Sequence, residues 1–146
     1  MATNAIFPIE LKQVIFTNIN IFSIPEHVPK ADIRKTETQL NNILNIEVIN
    51  QELKEYAVSM TSQFNLSMDP AEPYAIDISC MGVFSVVDPS ISEDELMKAL
   101  TITGHSVVYG AIRETVSWIT SRSIYGAFIF GISVLKPQPK LEEKLD

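Results

Sequence analysis

Four places in this chain carry side chains that could take part in chemistry. Cys80 is the single cysteine, and because no basic neighbour is evident to stabilise a thiolate, we expect a buried and inert thiol. His105 has no second ligand in register, and metal sites need a cluster of ligands, so we expect a structural or solvent-exposed role. The acidic run Glu93-Asp94-Glu95 suits the first turn of a helix better than a pair of catalytic carboxylates.

The remaining candidate is Arg113-Glu114, which lies in a nearly uncharged stretch. Two interpretations remain open: an exposed pair at the solvent edge, or an ion pair at a subunit contact, since an unpaired buried charge is costly. The sequence shows neither a glycine-rich phosphate loop nor a serine nucleophile elbow. We therefore expect no catalytic residues, no metal and no cofactor, and a protein that is not an enzyme.

Composition limits the classes of partner. With 146 residues, 46% hydrophobic and 20% charged, the chain fits one globular domain. We expect that domain to span residues 1–146, with a core over 6–135 and a flexible tail over 136–146. The net charge of −7 argues against nucleic acid, which needs a basic surface, and suits a basic or unfolded polypeptide partner.

The cysteine count and the apolar runs indicate a compartment. A single cysteine cannot form a disulfide within the chain, which agrees with a reducing, cytoplasmic location. The N-terminal residues show no charged leader before an apolar core, so we expect no signal peptide. The longest apolar run, residues 124–135, is too short to cross a bilayer, and we expect no membrane insertion.

Four strands are predicted in the first part of the chain, at Leu11–Ile24, Thr38–Asn50, Tyr56–Leu66 and Tyr74–Val87. Short connections between the last three favour antiparallel pairing. Simple alternation in the first strand places Leu11, Ile15, Ile19 and Ile21 on one face and Val14, Phe16, Phe22 and Ile24 on the other. In the fourth strand, Gly82 is predicted to mark a β-bulge.

A helical pattern follows the strands. Ser92 and Glu95 form a capping box. β-branching and a glycine predict a break near Gly104, followed by a long helix from His105 to about Arg122. This helix is apolar nearly all round, which favours burial on more than one side and hence an oligomer interface. The fold class is therefore α+β: a four-stranded antiparallel sheet with a long helix packed on one face.

Several short motifs occur in an order typical of one protein family. They are Phe16-Thr17-Asn18 before Pro25, Gly82-Val83-Phe84-Ser85-Val86, Ala111-Ile112-Arg113-Glu114 and Ser121-Arg122. In this order and spacing the chain resembles the SecB family of protein-export chaperones over about residues 9 to 135. The second helix of that family is missing here or reduced to the last residues of the chain.

The resemblance implies an ATP-independent holdase that binds unfolded, non-native polypeptide in hydrophobic grooves. It also implies a homotetramer, built as a dimer of dimers with the long helices buried between two sheet layers. We place five residues at that oligomer interface: Val108, Ile112, Arg113, Glu114 and Ile119. Seven could line the client groove, with ordinary core as the alternative for each: Phe16, Phe22, Ile24, Val28, Tyr56, Tyr125 and Phe128.

Export members of the family pass their cargo to the SecA motor. Asp77 matches an acidic position that the family uses for that docking, whereas Asn18 and Phe22 stand where other acidic residues are expected. The resemblance therefore implies SecA as a partner less firmly than it implies client binding. Two alternatives remain open: an oligomeric scaffold or antitoxin-dedicated chaperone with one fixed partner, and a small-ligand module with a closed pocket of roughly 300–1,000 Å³.

Overall fold

The computed structural model describes residues 7–28 and 39–131, and the predicted tail over 136–146 lies outside them. The elements are β1 (Ile9–Ser23), β2 (Leu40–Asn50), β3 (Glu55–Phe64), β4 (Tyr74–Val86) and α1 (Glu93–Thr120). The strands form one sheet in the order β1-β4-β3-β2, and every pairing is antiparallel. The predicted α+β class, a four-stranded antiparallel sheet with a long helix on one face, is confirmed.

The core lies between α1 and the two central strands. In β4 the predicted alternation is confirmed, because Tyr74, Ile76, Ile78 and Cys80 are all buried on the helix side. Val58 of β3 belongs to the same cluster. The opposite, outer face of the sheet carries polar residues such as a bonded Thr61–Ser79 hydroxyl pair, 2.9 Å apart. Period-two patterning thus sets which sheet face receives the helix.

β1 departs from simple alternation. Its register against β4 shifts between Leu11 and Gln13 and again between Phe16 and Asn18, so each step places two β1 residues opposite one partner. The predicted division into two faces is therefore wrong. The helix side carries Leu11, Val14, Phe16, Ile19 and Ile21, since these pair with helix-facing residues of β4. The bulges lie in β1, and the bulge predicted at Gly82 of β4 is not observed.

α1 is one unbroken helix, so the predicted break near Gly104 is wrong. A Cβ at Gly104 would lie 2.7 Å from Val58 Cγ2, a distance that real side chains do not reach. The glycine therefore lets the helix approach β3 closely. At the N-terminal end of α1, the predicted capping box is confirmed in part. Ser92 is the N-cap, and its side chain accepts a hydrogen bond from the Glu95 amide at 3.2 Å.

Candidate functional site

Five aromatic rings gather at one end of the sheet, beside the C-terminal half of α1. Phe64 and Phe128 have ring centroids 4.8 Å apart, and Phe128 also contacts Phe130 at 5.7 Å. Tyr74 contacts Tyr125 at 5.9 Å and Phe128 at 6.2 Å. We call this group of Phe64, Tyr74, Tyr125, Phe128 and Phe130 the aromatic cluster. It brings together two of the seven predicted groove residues, Tyr125 and Phe128.

An open cleft of about 180 Å³ borders the aromatic cluster. It is mostly apolar and is lined by Leu40, Phe64, Glu72, Phe128, Ile129, Phe130 and Gly131. Ile129 stands at its rim and is 66% exposed, whereas Phe130 is buried. The cleft is open and below the size expected for a closed ligand pocket, so it does not favour the small-ligand alternative.

The chain that follows α1 forms one wall of this cleft. Residues 125–131, here the return segment, run back along the helix without regular secondary structure beyond a turn at its start. The Tyr74 hydroxyl donates to the Gly126 carbonyl at 2.7 Å. The Phe128 amide donates to Thr120 Oγ1 at 2.8 Å. The return segment is thus attached to the core through its backbone.

Two further bonds attach the end of the return segment to α1. Arg113 Nε donates to the Phe130 carbonyl at 2.9 Å, and the Tyr109 hydroxyl donates to the Gly131 carbonyl at 2.7 Å. Arg113 was predicted to lie in a solvent-edge pair or at a subunit contact. Its guanidinium bonds to the backbone of its own chain, a contact not predicted from the sequence, and the subunit contact stays a prediction.

The loop after β1 meets the beginning of the return segment. The Tyr125 hydroxyl donates to the Ile24 carbonyl, and the His27 ring packs edge-on against Tyr125 with centroids 5.0 Å apart. The Val28 amide donates to the Pro70 carbonyl at 2.9 Å. Ile24 itself is buried and its side chain serves the core, whereas Val28 is exposed. These two predicted groove residues therefore lie near the aromatic cluster in different environments.

The other three predicted groove residues lie elsewhere. Phe16 packs against the core from the helix side of β1, and Tyr56 does so near the start of β3. Tyr56 is eight residues from Phe64, a separation of roughly 26 Å along a strand. Phe22 points to the outer face, opposite Ala75. The seven residues therefore do not form one groove within the described part of the chain.

Phe22 belongs to a second cleft of about 220 Å³ on the outer face, together with Asp77, the predicted motor-docking residue. Leu66 and Met68 complete its apolar wall, and both are exposed. Asn18 lies next to this cleft and donates to the Asp77 carbonyl at 3.1 Å. Asp77 thus lies at an open cleft, and Asn18 and Phe22 stand beside it where the resemblance implies acidic neighbours.

The loop that presents Leu66 and Met68 is organised by one asparagine. Asn65 Nδ2 donates to the carbonyls of Asp69 and Tyr74, each at 3.1 Å, and Asn65 Oδ1 accepts from the Asp69 amide at 2.9 Å. Asn65 and Met68 both adopt left-handed backbone conformations, with φ of 54° and 62°. Such conformations are uncommon for residues other than glycine and persist where the surroundings enforce them.

β1 carries an apolar strip that the helix does not cover. Leu11, Val14 and Ile19 are 43%, 38% and 49% exposed although they lie on the helix side of the sheet. Within residues 7–28 and 39–131, no strand pairs with the outer edge of β1. An apolar strip beside an unpaired backbone edge is typical of a surface that another polypeptide covers.

The five predicted interface residues occupy different positions on α1. Val108 and Ile112 are fully buried against the chain's own sheet, so their side chains serve the intrachain core. Ile119 is half-buried and Glu114 is exposed. The accessible face of α1 instead carries Met97, Ile102 and Trp118, with Arg122 over the Trp118 ring at 4.1 Å.

The titratable groups of the core are insulated from solvent. Burial raises the pKa of the Cys80 thiol to about 11, which agrees with the predicted inert role. Burial lowers the pKa of His105, whose ring stacks on Tyr109 with centroids 5.7 Å apart. The residues that the structure describes contain no group of three potential metal ligands. No helix in those ranges has the length and hydropathy needed to cross a membrane.

Sequence reasoning missed several residues of the aromatic cluster, its cleft and its attachments: Leu40, Phe64, Tyr74, Tyr109 and Phe130. It named Arg113, but for a different role. One signal was present, because aromatic residues alternate in Phe128-Ile129-Phe130. Such alternation indicates an extended segment with one buried side. The partners of that side come from distant parts of the chain, and local patterning does not identify them.

Comparison with solved structures shows a SecB-like fold. The chain is similar to the SecB-like chaperone Rv1957 of Mycobacterium tuberculosis, solved in complex with a ChAD peptide from the antitoxin HigA1 (Rv1956). The TM-score is 0.64 at 15% identity, over 86% of this chain and 91% of that chain.

A protein of unknown function from Streptococcus agalactiae aligns over 88% of this chain and all of that one. Its TM-score is 0.48 at 9% identity. No family model matches the sequence, and no curated protein does.

Proposed function

We propose that this protein is an ATP-independent, SecB-like chaperone that holds extended apolar segments of non-native polypeptides. The observation that carries the proposal is the uncovered strip of β1, in which Leu11, Val14 and Ile19 stay exposed beside an unpaired strand edge. Main-chain pairing at such an edge tolerates many sequences, as a chaperone's site must. The SecB-like neighbour, which is bound to a peptide, supports the same proposal.

Charge favours one class of client. The chain has a net charge of −7, and the cleft that contains Phe22 has Asp77 as its charged residue. Apolar segments flanked by Lys or Arg would associate fastest, and that preference would weaken as salt increases. We place the protein in the cytoplasm, as a homotetramer whose α1 helices meet through Met97, Ile102 and Trp118.

Aggregation suppression tests the proposal. The intact chain is mixed with a chemically denatured model protein, and light scattering is followed without nucleotide while the oligomer mass is measured on the same sample. Suppression at a near-stoichiometric ratio by a tetramer is the expected result. A monomer that leaves scattering unchanged would sink the proposal.

A pair of charge substitutions locates the surface. Ile19→Lys puts a charge into the β1 strip, and Ile43→Lys puts one on the other edge strand, β2, where Ile43 is also exposed. We expect Ile19→Lys to reduce suppression several-fold and Ile43→Lys to retain it, because a charge on an edge strand blocks strand addition there. Equal losses would show that the β1 strip is not the client surface.

A second candidate function is that of a dedicated chaperone for one partner, such as an antitoxin. The firmly held loop at Leu66 and Met68 favours it, because a pre-organised apolar cleft suits a fixed partner. Panels of unrelated denatured proteins separate the two: a holdase protects most of them, a dedicated chaperone almost none. For the export role, Asp77→Asn should weaken binding to SecA and leave aggregation suppression unchanged.

A further inference from the structure

The return segment is bound to the rest of the chain as a peptide ligand would be. After a turn that ends at Tyr125 and a left-handed Gly126, residues 127–131 run outside helix and strand, with Phe128 and Phe130 directed into the aromatic cluster and Ile129 between them directed to solvent. Apolar anchors at alternate positions are the recognition pattern of an extended peptide in a groove.

The hydrogen bonds from β4 and α1 to the return segment go to its main-chain atoms. Side chains of Tyr74, Arg113 and Tyr109 donate to the carbonyls of residues 126, 130 and 131, and Thr120 accepts the amide of residue 128. Backbone groups are the same whatever the sequence. The groups that meet residues 128, 130 and 131 would therefore hold an extended segment of many sequences, whereas the Tyr74 donor meets Gly126, whose φ of 78° favours glycine. The aromatic rings beneath would require only large apolar side chains two residues apart.

The return segment covers this site incompletely. The cleft of about 180 Å³ remains open beside it, with Leu40 and Phe64 at its wall. The segment joins the end of α1 through a short turn at residues 121–125. This tether keeps its local concentration at the site high, so the segment can occupy the site even with weak contacts. A free peptide with the same pattern of apolar residues could replace the return segment and make the same kinds of contact.

We propose that residues 125–131 occupy a client site of their own chain in place of a client. An extended client segment with aromatic or large aliphatic residues at alternate positions displaces them. This inference rests on the proposed function, because it assigns a regulated peptide site to the same chaperone. The site is formed by Tyr74, Tyr109, Arg113 and Thr120 above Phe64. The return segment occupies it until a client arrives.

The first test uses the intact wild-type chain and a synthetic peptide of residues 124–131, Ile-Tyr-Gly-Ala-Phe-Ile-Phe-Gly, with two added lysines for solubility. Hydrogen exchange is measured with and without the peptide. The Phe128 amide should exchange faster when the peptide is bound, because it loses its Thr120 acceptor. A variant of the peptide in which both phenylalanines are serine should leave exchange unchanged.

The second test loosens the return segment without altering the site. Phe128→Ala removes an inward anchor, and Ile129→Ala removes the outward side chain beside it as the matched control. If the return segment occupies the site for most of the time, freeing the site raises the apparent affinity for the peptide. The gain is the reciprocal of the fraction of molecules in which the site was open, and we expect about a tenfold gain for Phe128→Ala. Ile129→Ala should bind the peptide as the wild type does. Circular dichroism establishes that both variants fold.

The outcomes separate this inference from the proposed function. If the peptide binds while the Phe128 amide becomes better protected or does not change, the return segment is a fixed wall and the inference fails, although the holdase proposal stands. If Phe128→Ala does not fold, the wild-type exchange experiment decides. If the wild type neither binds the peptide nor suppresses aggregation, both proposals fall.

Discussion

Gly104 and Gly110 lie six residues apart on α1, and the space around them differs completely. A methyl group at Gly104 would overlap the Val58 side chain, whereas a methyl group at Gly110 would meet nothing within 4 Å. The first glycine allows the helix to approach β3, and the second lies on the accessible face with open space around it. One sequence therefore packs one face of the helix tightly and leaves the other exposed.

The largest effect should come from truncation on the buried face. Ile112 is fully buried, and Ile112→Ala removes methylene groups and leaves a cavity, which costs about 2–5 kcal/mol of unfolding free energy. In the dissociated protomer, Ile102→Ala on the accessible face is the matched control, with an expected change within about 0.5 kcal/mol. Chemical denaturation measures both. Similar losses at the two positions would mean that the accessible face also contributes to a core.

Thiol labelling should separate the two faces next. Burial raises the Cys80 pKa to about 11, so at pH 8 its reactive thiolate is about a hundredfold scarcer than that of an unperturbed thiol with a pKa of 9.0. Restricted access of the reagent to the buried Cys80 slows its labelling further. We expect Gly110→Cys to contribute a second, fast-labelling thiol while Cys80 stays slow. If both react at one rate in the folded protein, α1 is not packed on β4.

The two glycines themselves give a smaller effect of opposite sign. Gly104→Ala should lower unfolding free energy by about 1–2 kcal/mol, because overpacking outweighs the gain in helix propensity. Gly110→Ala should raise it by about 0.5–1 kcal/mol. Thermal melts of the two variants measure both changes. If overlap with the Val58 side chain causes the Gly104→Ala penalty, adding Val58→Ala should remove it. A stabilising Gly104→Ala would contradict the close approach.

The smallest effect concerns pH. Burial lowers the pKa of His105, so the unfolded chain takes up a proton near pH 6.5 while the folded chain resists it. The stabilisation is present above that value and is lost as pH falls below it. His105→Phe, which keeps a ring against Tyr109, should flatten this part of the stability profile. An unchanged slope would assign the acid sensitivity to another group.

The fold class could be predicted because β3, β4 and α1 each follow one period over most of their length. Val58, Met60, Ile76 and Ile78 repeat every second residue and are all buried. β1 could not be divided into faces, because two bulges reverse its alternation and leave no mark in composition. Gly104 was misread because helix propensity describes an isolated helix and ignores a strand that packs closely against it.

The candidate site was harder to predict than the fold. Tyr125 and Phe128 were identified from the apolar run that contains them, but their partners Phe64 and Tyr74 lie more than fifty residues away in the chain. Arg113 shows most clearly what the sequence could not predict. A charge in an apolar helix indicates a buried partner but does not identify it. Its partner is a backbone carbonyl, a group that every residue carries.

The pairing of β1 has a consequence for how the chain folds during synthesis. Its sole strand partner in the described ranges is β4, where Ser23 pairs with Tyr74 and Ile9 with Val86. At ribosomal rates of about 5–20 residues per second, β1 waits roughly 3–15 s for β4 to emerge. β2 and β3 close as a hairpin in the meantime. The nascent chain therefore carries its own unpaired apolar strand while about 50–60 of its 146 residues are made.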